Sequence, residues 1–293
     1  MKIGDYVMIK GDESNFIYKI KEYNDSTKRY FLSGVEYRII REEEESNLLP
    51  LSNEDVDKEH KRFLEFELRL KDNLKKKIVK DGIIKLESSD NKPSKLDYQV
   101  RNDKKLKKRY VLGTIMHIDG DEEYLKKCLE LYDEIGIYSY GKCVKEDEIH
   151  NSIGKFLLET NADIVVITGH DIYNNKGIKD LNNYSNTKNF IKAVKEIRKV
   201  RNNSCIVIAG ACQSNFEALV ANGADFASSP SRINIHTFDP AIIAVCAATT
   251  SISSIINIED AFKYIENGKE AFGGLQTYGK MRLMVWCVYW KSS

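Results

Sequence analysis

The amino-acid sequence predicts an α/β protein in which a mostly parallel sheet flanked by helices follows a small β-barrel. Two observations support this fold class. Short strands and turns fill roughly the first fifty residues, and from residue 109 onward apolar runs alternate with amphipathic helices. At 293 residues the chain exceeds a typical single domain. We therefore expect a barrel over residues 1–52, a charged helical connector and linker over 53–108, and an enzyme-sized α/β domain over 109–293.

The barrel is predicted from four apolar strands and the turns between them. The strands are GDYVMIK, FIYKIKEYN, RYFLSGVEYRII and NLLPL, and the turns include GDES and NDSTK. The opening Gly4-Asp5-Tyr6-Val7, followed by a lysine-bearing strand, resembles SH3-like and KOW-like barrels. Such modules bind or position a partner, and the alternative is a domain that only caps its neighbour.

The connector is predicted to begin with a helix. Phe63, Phe66, Leu70 and Leu74 recur near helical spacing within a densely charged segment, residues 53–77. Residues 80–108 mix Gly, Pro, Ser and Lys without sustained periodicity, which is typical of a linker or long loop. This segment is expected to be open to proteolysis.

The α/β domain is predicted from its alternation of strand and helix patterns. Apolar strands surrounded by amphipathic helices indicate a doubly wound, mostly parallel sheet. We predict strands at YVLGTIMHI, IYSY, ADIVVIT and CIVIAG. Helices are predicted over residues 122–135, 146–159, 187–200 and 214–222. After DFASS we expect an apolar helix near 240–250 and a last apolar stretch, MRLMVWCVYW.

Composition excludes several classes of function. Lys and Arg number 45 against 44 Asp and Glu, so no global field favours nucleic acid or an anionic membrane. The N-terminus lacks the apolar run of a signal peptide, and no stretch reaches the about 18 apolar residues of a membrane span. The six cysteines form no CxxC pair. We expect a reduced, intracellular protein without a cofactor or a metal site, and leave its oligomeric state open.

Two reactive side chains follow two successive strands. His170 comes after ADIVVITG and Cys212 after CIVIAGA, with one helix between the strands. A single crossover makes the strands neighbours in a parallel sheet, whose carboxyl ends meet at one edge. An imidazole beside a thiol can take its proton, so the sequence predicts Cys212 as nucleophile and His170 as general base. The helix after Cys212 is expected to point free N–H groups at the thiolate and lower its pKa.

The other cysteines are predicted to be unreactive. Cys205, Cys246 and Cys287 lie inside apolar segments, where a cysteine behaves as a small core residue. Cys212 differs, because it follows a strand end and precedes polar Gln213.

The two motifs resemble the caspase, gingipain and clostripain clan of cysteine peptidases. The caspase signature centres on Ala-Cys, with a histidine about 50 residues upstream. Here Ala211-Cys212 matches that centre, and His170 lies 42 residues earlier. The resemblance implies a caspase-like sheet. One departure is that Gly169 precedes the histidine, whereas in the clan a glycine follows it and helps to form the oxyanion hole.

More specifically, ITGHD and AGACQSNFEAL behind a small barrel resemble the YabG-like family of sporulation-specific cysteine peptidases. The resemblance implies limited proteolysis of spore coat and cortex-associated proteins in the mother cell, at the forming coat, with cleavage after arginine. An arginine pocket needs a carboxylate. Asp119 and Asp121, at the end of the first strand of this sheet, are the first candidates, and Asp171 and Asp239 are alternatives.

Other interpretations stay open at this point. CIVIAGACQSNFEALVANGADFASS also resembles small-molecule-binding α/β domains, which would make Cys212 incidental, although DxHxxG, GxGxxG and the P-loop pattern are missing. An amidotransferase is less well supported, because glycines do not flank Cys212. The barrel could also recruit the chain to a coat scaffold. If the chain is an arginine-directed peptidase, self-cleavage is expected in the linker, at Arg101 in preference to Arg109.

Overall fold

The computed structural model describes residues 1–12, 14, 16–80, 84–85, 97–100 and 108–284. Its strands are β1 (Tyr6–Ile9), β2 (Tyr18–Asn24), β3 (Arg29–Gly34), β4 (Ile40–Glu44), β5 (Leu48–Pro50), β6 (Ile84–Lys85), β7 (Asp97–Val100), β8 (Lys108–Val111), β9 (Ile115–Asp119), β10 (Ser139–Cys143), β11 (Ile164–Thr168), β12 (Ile206–Ala209), β13 (Phe226–Ser228), β14 (Phe272–Gly274) and β15 (Arg282–Met284). Its helices are α1 (Asn53–Lys80), α2 (Glu122–Ile135), α3 (Ile149–Thr160), α4 (Thr187–Arg201), α5 (Phe216–Ala221), α6 (Asp239–Thr249), α7 (Ile258–Phe262) and α8 (Gly268–Ala271).

The N-terminal strands form an antiparallel sheet in the order β4-β3-β2-β1-β5. Alternate side chains point to one face, as the pleat requires. On that face Val7, Tyr18, Ile20, Leu32 and Leu48 are buried together. Strands thus form where the sequence predicted them, as an antiparallel sheet of five strands, and closure of this sheet into a barrel stays a prediction.

Helix α1 joins this sheet to the rest of the chain. It extends over 28 residues and carries charge on most of its surface. Leu70 and Leu74 are buried against the central core. Lys71 and Lys75 both pair with Glu134 of α2. The connector is therefore a helix with one packed face, and its apolar spacing is the reason.

Part of the predicted linker forms strands. A small antiparallel sheet has the order β15-β8-β7-β6. Arg109 lies in β8, where its backbone is paired with Gln99 and Met284. Arg101 lies outside the described residues, as does Cys287 in the last apolar stretch.

The central sheet positions the candidate site. Its order is β10-β9-β11-β12-β13-β14, and every pairing is parallel except that of β13 with β14. Alternate residues of β11 enter opposite cores: Val166 packs with α2 and α6, and Val165 with α3, α4 and α5. The predicted mostly parallel sheet flanked by helices is confirmed. In the part of the chain that the structure describes, no helix is both long and apolar enough to cross a membrane.

Candidate active site

Three neighbouring strands bring the predicted residues to one edge. Strand β11 pairs in parallel with β9 on one side and β12 on the other. Thr168, at the end of β11, lies opposite Asp119 in the register. His170 and Cys212 each follow two or three residues after their strands end. The expected adjacency of the two strands is confirmed, because the single crossover through α4 places them side by side.

The His170 ring is held from one side. Its Nε2 lies 3.4 Å from Asp121 Oδ2, and its edge faces the Tyr124 ring at 5.7 Å between centroids. The backbone N–H of His170 donates to Glu146 Oε1 at 2.7 Å. The other ring nitrogen, Nδ1, is buried and has no hydrogen-bond partner among the described residues. Because Nε2 faces the carboxylate, Nδ1 is the nitrogen left to exchange a proton with a reacting group.

Asp121 orients that ring from the start of α2. Its carboxylate accepts hydrogen bonds from the N–H groups of Glu123 and Tyr124, as the N-cap of the helix. Burial alone would raise the pKa of Asp121, but the hydrogen bond and charge of His170, together with the Tyr124 N–H, outweigh it and the pKa is lowered. Asp121 thus places a negative charge beside Nε2 of His170.

Cys212 lies deep below the surface, with 1% of its area exposed. The backbone N–H of Ile235 donates to its Sγ at 3.2 Å. Burial raises the pKa of the Cys212 thiol to about 12, and the Ile235 N–H opposes this only in part. The resting group is therefore a neutral thiol.

The expected lowering of this pKa by the following helix is wrong. Helix α5 begins only at Phe216, and Asn215 caps it by accepting from Ala218 N–H. The N–H of Gln213 donates to Ile233 O and Ser229 Oγ, so it does not point at the thiol. A helix end acts only on groups at its first turn, whereas the hydrogen-bond contacts of Cys212 Sγ among the described residues are with the main chain of Ile235.

The two loops that carry His170 and Cys212 are tied to each other. Ser214 Oγ donates to Asp171 Oδ2 at 2.9 Å and accepts from Ala211 N–H at 2.9 Å. A direct hydrogen bond between His170 and Cys212 is not among the contacts of the described residues. The two side chains are therefore held at one edge by their loops, and not by a contact with each other.

The buried carboxylate of Asp119 and the groups around it, at the same sheet edge, form what we call the acidic pocket. Asp119 has no exposed side-chain area, and it forms an ion pair with Nη1 of Arg38 from the N-terminal sheet. Its carboxylate also accepts from Thr168 Oγ1 at 3.1 Å and from Asp121 N–H at 3.0 Å. Burial alone would raise the pKa of Asp119, but the Arg38 guanidinium, His117 and the Asp121 N–H together outweigh it and hold the pKa well below its usual range.

Comparison with known proteins assigns the chain to a family. Residues 2–285 match the family described as YabG peptidase U57. The chain belongs to this family. It is also 42% identical, over 175 residues, to the sporulation-specific protease YabG of Bacillus subtilis (strain 168), in an alignment that covers 58% of this chain and 60% of that relative. The match thus spans about three fifths of the relative's length, and no solved structure matches the chain.

The acids of this YabG-family chain have different surroundings. Asp171 accepts from Thr187, Ser185 and Ser214 and from two backbone N–H groups, so its oxygens are already used. Asp239 accepts from His236 N–H, and burial raises its pKa to about 8. Only Asp119 among the four candidate acids contacts a guanidinium in the described part of the chain. Within those residues no group of three His, Cys, Asp or Glu side chains could hold a metal ion.

Three residues at this edge were not predicted from the sequence. Arg38, Tyr124 and Ile235 contact the site from the N-terminal sheet, from α2 and from the loop before α6. Each lies in an ordinary apolar or charged stretch, and no motif marks it. Cys205 and Cys246 are buried in the cores, as expected, but burial does not distinguish them from Cys212, which lies in the same core cluster as Cys246.

Proposed function

We propose that this chain is a cysteine endopeptidase in which Cys212 is the nucleophile and His170 the general base. The observation that carries the proposal is the pair of loops after β11 and β12, which hold the unpartnered His170 Nδ1 and the Cys212 thiol at one sheet edge. Membership of a peptidase family supports the same chemistry. Parallel strands lie about 4.8 Å apart, so the two groups can meet across one substrate carbonyl.

The reaction proceeds by acyl transfer. His170 takes the Cys212 proton as Sγ attacks the carbonyl carbon, and then gives it to the leaving amine. Water, deprotonated by His170, next attacks the thioester and releases the carboxyl product, and His170 returns that proton to the departing Cys212 sulfur. Asp121 faces Nε2 and stabilises the charged ring in both halves. Because the resting thiol is neutral, formation of the thiolate must coincide with the approach of substrate and His170.

Arginine is the residue that the enzyme prefers before the cleaved bond. Asp119 supports this choice, because it already binds one guanidinium at full burial. A carboxylate in a desolvated pocket favours an arginine over an uncharged side chain. Asp121 is a second acidic residue next to Asp119, since its backbone N–H donates to Asp119 Oδ1 at 3.0 Å.

The substrates we propose are spore coat and cortex-associated proteins, cut at few sites in the mother cell at the forming coat. The printed name of the Bacillus subtilis relative, a sporulation-specific protease, supports the setting. The mostly parallel sheet supports the caspase-like class for the catalytic domain, and the antiparallel N-terminal sheet supports a small SH3-like or KOW-like barrel.

Selective labelling tests the nucleophile. A peptidyl-arginine chloromethyl ketone should alkylate Cys212 and leave the other five cysteines unmodified, as read by peptide mass mapping. Cys212→Ala and His170→Ala should lose cleavage of arginyl peptides by at least about a hundredfold while keeping the fold. Cys246→Ala, which removes another buried thiol, is the matched control and should stay active. Full activity in folded Cys212→Ala would favour the alternative, a non-catalytic or small-molecule-binding domain whose barrel recruits a scaffold.

A further inference from the structure

Residues 34–39, which we call the strap, connect β3 to β4 and lie across the candidate active site. Arg38 N–H donates to Ile235 O at 3.2 Å, and Thr237 N–H donates to Glu36 O at 3.0 Å. Tyr37 and His236 form an antiparallel bridge between these two bonds. The strap thus adds its main chain to residues 235–237, as an extended peptide adds to an exposed strand.

The Arg38 side chain fills the acidic pocket completely. Its Nη1 pairs with Asp119, and Nε and Nη2 donate to Thr237 O at 3.3 and 3.1 Å. The guanidinium also lies over the Tyr124 ring at 5.1 Å. Arg38 has no exposed area. A substrate arginine could not enter this pocket while Arg38 occupies it.

The strap is also close to the proposed nucleophile. Ile235 links the two, since its carbonyl accepts from Arg38 N–H and its N–H donates to Cys212 Sγ at 3.2 Å. On the other side of the strap, Tyr124 Oη donates to Tyr37 O at 2.8 Å, and the same ring faces His170. The strap therefore contacts a direct neighbour of each member of the proposed dyad, Ile235 beside Cys212 and Tyr124 beside His170.

We propose that the strap is a built-in ligand of the substrate cleft, with Arg38 in the place of the substrate arginine, and that it keeps the enzyme inhibited until it is displaced. The assignment of the occupied site as a substrate cleft rests on the proposed peptidase function. The occupied site itself, an arginine pocket with an antiparallel main-chain edge, is defined by the contacts of Arg38 and Glu36.

The strap has the geometry of an inhibitor and not of a cleaved substrate. Ile39 N–H donates to Tyr37 O at 2.7 Å, so the chain turns back directly after Arg38. Gly34 N–H donates to Ile39 O at 2.7 Å and closes the loop. Peptidases cut extended backbone, and here the amine that would have to leave is held inside a tight turn.

Displacement of the strap is physically reasonable. A cavity of about 740 Å³ borders it, lined by Gly34, Glu36 and Tyr37 together with His236 and Phe66. A buried ion pair contributes little net stability, because the cost of removing both charges from water offsets their attraction. Loss of Arg38 alone would leave the buried Asp119 without a counter-charge, so displacement has a modest cost only when a substrate arginine takes its place.

Steady-state kinetics provide the first test. If the free cleft is the minor state, populated at about 0.1–10%, the apparent substrate affinity is lowered at least tenfold. Arg38→Ala should thus lower KM for an arginyl peptide by at least about tenfold and leave kcat unchanged. Arg29→Ala is the matched control, since it removes an exposed arginine of the same sheet. Unchanged KM in folded Arg38→Ala would overturn the proposal.

A second variant displaces the strap without touching the pocket. A Cβ on Gly34 would meet Tyr37 O at 2.4 Å and Ile39 Cγ2 at 2.7 Å, so Gly34→Ala must shift the strap. It should lower KM in the same direction as Arg38→Ala. Gly154→Ala is its control, because the added methyl meets only Val200 at 3.5 Å. This variant keeps the test available if Arg38→Ala fails to fold.

Binding of agmatine, a small guanidinium compound, tests cleft occupancy without catalysis. In a Cys212→Ala background, agmatine should raise the melting temperature of Arg38→Ala far more than that of the parent with its strap intact. Asp119→Asn added to Arg38→Ala should abolish the shift. Equal shifts in melting temperature with and without Arg38 would refute the inhibitory role of the strap even if the peptidase proposal held. A shift limited to Arg38→Ala would support that role even if no peptide were cut.

The mass of the stored enzyme separates an inhibitor from a substrate. The strap should remain intact in the wild type. A fragment that begins at Ile39 in the wild type but not in Cys212→Ala would show that the strap is cut, and would overturn its role as an inhibitor.

Discussion

Ser214 Oγ donates to Asp171 Oδ2 at 2.9 Å, and this bond joins the loop of the proposed nucleophile to the loop of the proposed base. Both side chains are buried. The contact explains how two loops without a direct His170–Cys212 bond keep a fixed separation. It also makes Ser214 a positioning residue, since its hydroxyl acts on the dyad only through the backbone.

Ser214→Ala should therefore reduce kcat by about tenfold with little change in KM, because the pocket that binds substrate is untouched. It should also cost about 1–3 kcal/mol of stability, since a buried carboxylate oxygen and Ala211 N–H each lose a partner. Kinetics and urea unfolding measure the two effects. Ser204→Ala, at an exposed hydroxyl, should change neither, and equal loss of kcat there would contradict the positioning role.

Asp121→Asn tests the partner of the base. Asparagine also caps helices, so the free energy of unfolding should change by only a few tenths of a kcal/mol. The imidazolium, however, loses its counter-charge at 3.4 Å. We expect kcat/KM to fall at least about a hundredfold. A variant with normal stability and normal kcat/KM would remove Asp121 from the mechanism.

Asp119→Asn should destabilise the protein by about 3–5 kcal/mol at neutral pH, because Arg38 stays buried without a counter-charge. Arg38→Ala/Asp119→Asn should recover part of that loss. Urea midpoints of the wild type, both single variants and the double variant give the coupling of the pair.

The same ion pair should make the free energy of unfolding depend on pH in the acidic range. The pKa of Asp119 is lowered, because the Arg38 guanidinium, His117 and the Asp121 N–H together outweigh burial. A lowered folded-state pKa gives stability that is present above the unfolded pKa of about 3.9 and lost as pH falls through the folded value. Asp119→Asn should flatten the loss of stability below about pH 4. An unchanged acid profile would show that the pair is not charged.

Asp239 should have the opposite pH dependence. Burial raises its pKa to about 8, so above the unfolded pKa of about 3.9 the folded state holds a proton that the unfolded state has released. Stability then falls as pH rises across that interval. Asp239→Asn keeps an acceptor for His236 N–H and should remove this slope. Thermal melts at about pH 5 and about pH 8 test it, with exposed Asp133→Asn expected to behave as the wild type.

Self-cleavage in the linker remains a prediction from the sequence. Wild-type protein should shorten on storage to a fragment beginning at Asn102, whereas Cys212→Ala should stay full length. Arg101 lies outside the described residues, and Arg109 is held in β8 between two paired strands. N-terminal sequencing of aged samples decides between them. Identical fragments from both proteins would indicate a contaminating protease.

The central fold could be predicted from the sequence because its signals are local. Helix α2 lies where the apolar spacing placed it, from Glu122 to Ile135, and Asp121 and Gly136 cap its two ends. The single helix between β11 and β12 made those strands neighbours, so His170 and Cys212 were brought to one edge by chain order alone.

The tertiary structure decided what lies against that edge. The docking of the N-terminal sheet places Arg38 beside Asp119, two residues far apart in the chain, and no periodicity or motif encodes such a pairing. Burial likewise set the Cys212 thiol to a pKa of about 12, where the local helix pattern predicted the reverse. Local spacing determines which strands and helices form, whereas desolvation and long-range contacts depend on how those elements pack. Desolvation and long-range contacts in turn control the charge of this site and the access of substrate to it.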